Sequence, residues 1–126
     1  MKIFNYAFAL ILISLIVCCT EADCKRDFPG KWKYKNISED SMYVIRTLEN
    51  QKEYVEGGKY YYEFKLKWLT ACKYQMTYMG TTSSHPAVAK IGESCTVEIL
   101  SINKTTMKYK TVFNGLQDID EMVKIQ

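Results

Sequence analysis

The sequence predicts an all-β protein: about eight antiparallel strands in up-and-down order, closed into a barrel behind an N-terminal export segment. Three observations carry this reading. In residues 59–68, Tyr60, Tyr62, Phe64, Leu66 and Trp68 share one parity, while Lys59, Tyr61, Glu63, Lys65 and Lys67 share the other. Side chains alternate across a strand with period two, so this stretch has one dry face and one charged face. Ten tyrosines and two tryptophans in 126 residues favour strands over helices. The segments that follow one another are joined mostly by short connections, which implies a meander, and eight strands can close without leaving an open edge. A two-layer sandwich is the alternative.

Taken in order, the chain begins with Met1-Lys2 and a nearly unbroken apolar run over 3–17. A charged start and a short apolar run fit an export signal; the run is short for a membrane-spanning helix and lacks a basic flank. Ile16-Val17-Cys18-Cys19 resembles a bacterial lipobox. It predicts a lipid on Cys19, because the residue before the cut should be small. Ordinary cleavage after Ala22 is the rival. The expected division is a signal peptide over 1–18, a polar lipid-anchored spacer over 19–28 that tethers without packing, and the barrel over 29–126. The protein is then expected on the bacterial cell envelope, periplasmic or surface-facing, with secretion as the alternative.

Pro29-Gly30 turns the chain into a first strand in which Trp32 and Tyr34 lie opposite Lys31, Lys33 and Lys35. A polar loop over 36–41 precedes strands at about 42–48 and 51–56, with a turn near Glu49-Asn50 between them. Gly57-Gly58 is a hairpin signal, since glycine supplies the positive φ that tight turns need. The long strand at 59–68 and its partner over 72–79, with Tyr74, Met76 and Tyr78 on one face, come next. The stretch from Gly80 to Ser94 reads as one long irregular loop. Cys95, Val97 and Ile99 alternate in a sixth strand; Met107, Tyr109, Thr111 and Phe113 alternate in a seventh, after a turn at Asn103-Lys104. Residues 114–120 read as a polar link and 122–126 as a last short strand. Alternating connections put the turns at 49–50, 69–71 and 103–104 at one end of the barrel. The other end receives three long connections, 36–41, 80–94 and 114–120, so any binding is expected there.

Little in the chain suggests catalysis or a bound metal. His85 is the only histidine, so a multi-histidine metal site is excluded, and no nucleophile–base pair is apparent. Glu53, Glu56 and Glu63 are read as outward and solvated. Seventeen basic against fourteen acidic residues leave +3, and +2 once Lys2 is removed with the signal. So small an excess, without a basic stripe, argues against a nucleic-acid partner. The expectation is a non-enzymatic protein without a cofactor. Trp32, Tyr34, Tyr60, Tyr62, Phe64, Trp68, Tyr74 and Tyr78 face inward and either line a pocket for an apolar ligand or fill the barrel; side chains alone can occupy an eight-stranded interior.

Five cysteines are present; Cys18 ends the expected signal and Cys19 is the expected lipid site, which leaves three. In a meander, odd-numbered strands run the same way. Cys24 before the first strand and Cys72 at the start of the fifth therefore share one end, and Cys95 at the start of the sixth lies at the other. A disulfide needs Cα atoms within about 7 Å, whereas strands of about seven residues span over 20 Å. The expected pairing is Cys24–Cys72, with Cys95 a free thiol.

Phe28-Pro29-Gly30-Lys31-Trp32 resembles the Gly-x-Trp signature that opens lipocalins. The wider pattern of Asp23-Cys24, Gly30-x-Trp32-x-Tyr34, Arg46-Thr47 and Trp68-x3-Cys72-x-Tyr74 resembles a group of small flavobacterial lipoproteins. The resemblance implies a lipocalin-like barrel on an exported lipoprotein and carries over no catalytic residue. Two roles follow as expectations: an envelope or binding module, with a small hydrophobic ligand, or a protein–protein module of the lysozyme-inhibitor kind that acts through the loop from Gly80 to Ser94.

Overall fold

The computed structural model describes residues 23–85 and 89–125. The expected signal, the Cys19 lipid site and the cut after Ala22 lie outside them. Eight strands follow in order: β1 (Gly30–Tyr34), β2 (Met42–Arg46), β3 (Asn50–Val55), β4 (Tyr60–Thr70), β5 (Lys73–Thr81), β6 (Ser94–Ile102), β7 (Thr106–Phe113) and β8 (Leu116–Lys124). Each pairs antiparallel with the next, and β1 closes on β8 through Trp32 opposite Lys124 and Tyr34 opposite Met122. The fold is a closed up-and-down barrel, and the sandwich alternative falls.

The alternation of β4 is visible in its partners. Tyr62 and Phe64 face Tyr78 across β5, while Lys65 and Lys67 point to solvent beside Thr77 and Gln75. On the outer face Tyr43, Tyr54 and Tyr61 sit in register across β2, β3 and β4. Tyr43 and Tyr54 stack at 4.9 Å, and Lys31 and Lys52 cover Tyr43 and Tyr61 at 4.3 and 4.7 Å. Lys31 and Lys33 of β1 and Lys35 just after it are engaged locally: Lys31 with Glu39, Lys35 with Glu121, and Lys33 with backbone carbonyls.

Three expectations need correction. Residues 114–120 are not a link. Asn114 and Gly115, at φ 49° and 77°, form the turn of a hairpin whose second strand starts at Leu116. Two consecutive residues with positive φ match the twist of antiparallel strands. Glu53 does not face outward; it lies on the inner face of β3 with Gln51, because Lys52 and Tyr54 hold the outer parity. The spacer is not loose from Asp23 onward. Cys24, Asp27 and Phe28 are buried, and Phe28 inserts as a plug against Trp68 and Tyr74, with ring centroids at 5.0 and 5.3 Å.

That plug closes one end. Trp32 donates its indole N–H to the Phe28 carbonyl at 2.9 Å, and Lys124 lies over the Trp32 ring while donating to the Asp27 carbonyl. The Cys24–Cys72 disulfide, Cα–Cα 5.1 Å, ties the plug to the start of β5, and Cys95 is free, as the meander geometry requires. The short turns share this end; Asn103 Oδ1 accepts the backbone N–H groups of Thr105 and Thr106. The opposite end has two long connections, not three, because the β7–β8 turn is tight.

Candidate functional site: an amphipathic chamber

The closed base and the long loops leave space inside the barrel at the open end. Two outer spaces, of about 210 and 380 Å³, share Phe64, Tyr78 and Ala89. A deeper one of about 270 Å³ adjoins them through Met76 and Thr111 on one side and Glu53 on the other. Together they form a chamber with a mostly apolar mouth (Met42, Tyr62, Phe64, Tyr78 and Phe113, with Glu93 and Ser94 on one side) and a polar interior. Ala89, from the loop between β5 and β6, lies across the mouth. His85 of the same connection reaches the rim, its Nε2 3.3 Å from Glu56 and its ring in a T-shaped contact with Tyr60.

Alternation along β2, β3 and β8 builds the polar interior. Arg46 follows Val44 inward on β2 and is 4% exposed; Gln51, opposite it on β3, is 2% exposed. Arg46 Nε donates to Gln51 Oε1 at 2.8 Å, Gln51 Nε2 donates to Glu53 Oε1 at 2.9 Å, and the Tyr34 hydroxyl reaches the same oxygen at 3.3 Å. Below, the guanidinium stacks on Phe28 at 4.9 Å, so Arg46 forms the boundary between plug and chamber. Asp118 and Asp120 of β8 line the wall, exposed toward solvent, beside Tyr109 and Thr111.

Burial governs the protonation of this cluster. Enclosure by the barrel pushes Glu53 above the usual carboxylate range, although Arg46 and the hydrogen bonds from Tyr34 and Gln51 pull the other way. Burial likewise raises the hydroxyl of Tyr34, with the Glu53 charge adding to it, and those of Tyr74 and Tyr109. Cys95 lines the outer space, and burial and Glu53 hold its thiol above its ordinary value. It is thus a sluggish nucleophile. Among the described residues no three His, Cys, Asp or Glu side chains converge on a metal position.

The eight aromatic residues expected to face inward divide by depth. Trp32, Trp68 and Tyr74 pack around Phe28 at the base, although Tyr74 also reaches the chamber floor. Tyr34 stands in the polar wall, Tyr62, Phe64 and Tyr78 form the mouth, and Tyr60 stands at the rim. They fill one half of the barrel and line the space in the other. Sequence reasoning missed Arg46, Gln51, Glu53, Asp118 and Asp120 as chamber residues. The available signal was parity, since Met42, Val44 and Arg46 alternate on one face of β2. Comparisons with protein-family models, with curated proteins and with solved structures found no match for this chain.

Proposed function

We propose that this protein is an exported, non-enzymatic binding module, held on the bacterial envelope by a lipid on Cys19, that takes a small and largely apolar ligand through the open end of its barrel. One observation carries the reading: a mostly apolar mouth over a polar interior, closed beneath by Phe28 and the disulfide. Concave sites with mostly apolar linings and a few placed polar groups suit small-molecule ligands. Two described residues of the 80–94 connection, His85 and Ala89, lie against the rim, which favours this role over insertion into a protein partner. No nucleic-acid partner is proposed. Native mass spectrometry of protein purified from its host tests the reading. The expected spectrum carries the mass of a diacyl anchor and a second, non-covalent mass that is released on activation. Protein that carries an anchor, retains nothing and binds no apolar compound on re-exposure contradicts the ligand role; an unmodified Cys19 contradicts the anchor.

A further inference from the structure

The guanidinium of Arg46 is a buried charge at the chamber floor, packed over the rings of Phe28 and Trp32, and its hydrogen bonds leave one edge unused. Nε is used by Gln51, and one terminal nitrogen faces Met107 Sδ at 3.7 Å, a weak acceptor. Among the described residues, no oxygen accepts a hydrogen bond from either terminal nitrogen, and no carboxylate forms an ion pair with the group. Arginine stays charged in any protein environment, and among the described residues no buried side-chain nitrogen lacks a hydrogen-bond partner, so the unused edge of Arg46 is the part that reaches open space. Arg46 lines the 270 Å³ space, so its free edge has room for a ligand group.

We infer that the ligand is an amphiphile with a carboxylate at one end, seated head-down on Arg46 with its apolar body along Met76, Phe64 and Tyr78. This rests on the reading that a ligand enters the chamber at all. The planar fork of a guanidinium matches a carboxylate through two parallel hydrogen bonds, which a hydroxyl or an ammonium does not. Four protein carboxylates line the chamber: Glu93 stands at the mouth beside Ser94, away from the space that Arg46 lines, and the other three are Glu53, Asp118 and Asp120. Asp118 and Asp120 are exposed to solvent and their charges are screened there. Glu53 is nearer, but Gln51 lies between them, accepting from Arg46 and donating to Glu53, and no ion pair joins the two. The apolar body fits above this head, because every wall residue from Met76 outward on β4 and β5 is apolar or aromatic.

The test uses protein purified from its host and three probes with one ring system: 2-naphthoate, 2-naphthylmethanol and 2-naphthylmethylamine. Titration calorimetry gives affinities, and protection of Cys95 from alkylation reports entry. The naphthoate is expected to bind on the order of tenfold tighter than the alcohol, the amine weakest, with Cys95 protected. Arg46→Gln is expected to abolish the preference for the acid and to leave the alcohol's affinity within about twofold. Where that variant does not fold, the ranking on unaltered protein decides. An alcohol or amine that equals or beats the acid overturns the carboxylate inference and leaves the ligand role standing. Failure of all three to bind or to protect Cys95 overturns both.

Discussion

Glu53 is a carboxyl group that folding makes weaker, and that has a measurable sign. Its folded pKa lies above the ordinary 4.5, because desolvation outweighs the attraction of Arg46 and two hydrogen bonds. A native state that holds a proton more tightly than the unfolded chain is favoured by acid. The contribution is fully present below the unfolded value and is lost as pH rises through the folded one. Urea unfolding at a series of pH values should therefore show stability falling as pH rises above 4.5, and Glu53→Gln should remove that slope while keeping an acceptor for Tyr34. The exposed Glu121, held low by Lys35, acts in the opposite sense and at lower pH; salt screens that pair and separates the two. An unchanged slope in Glu53→Gln would contradict the buried cluster. Residue type alone hid this group. A glutamate reads as solvated by default, and Gln51-Lys52-Glu53-Tyr54 has no apolar alternation to show that its first and third members point inward.

At the scale of elements, legibility followed the contrast between the two faces. β4, β5 and β7 have apolar inner faces against polar outer ones, so strand and orientation are both readable. β8 begins Leu-Gln-Asp-Ile-Asp, where the inner Asp118 and Asp120 are polar because they border a wet chamber. Its first half thus has no dry face, although Asn114-Gly115 was a strong hairpin signal in plain view. Gly115→Ala, forced into φ 77°, is expected to cost roughly 1–2 kcal/mol, measured by urea unfolding; a neutral effect would mean the turn adapts. The plug is the second element to test. Replacing Cys24 and Cys72 together by serine should cost about 2–4 kcal/mol by freeing the unfolded chain. It should also increase hydrogen exchange at the Trp32 indole, which depends on the Phe28 carbonyl. Loss of stability without change at Trp32 would show that the plug holds without its covalent tie.

As a whole molecule, the barrel divides into a filled half and an open half, and the proposed role depends on that division. The count and order of strands were legible because a meander needs only local pairings. The division was not, since it arises where the chain interrupts an aromatic interior with Arg46, Gln51 and Glu53, and pattern reading equates the interior with apolar residues. The methionines sample both halves: Met42 and Met76 line the chamber, Met122 is buried and does not line it, and Met79 is 46% exposed on the outer face. Methionine-methyl NMR of protein purified from its host, titrated with 2-naphthylmethanol, therefore tests whether an apolar body enters the barrel independently of any charged head. The account predicts saturable shifts at Met42 and Met76 with Met79 and Met122 unmoved. Shifts at Met79 alone, or at none of the four, would contradict it.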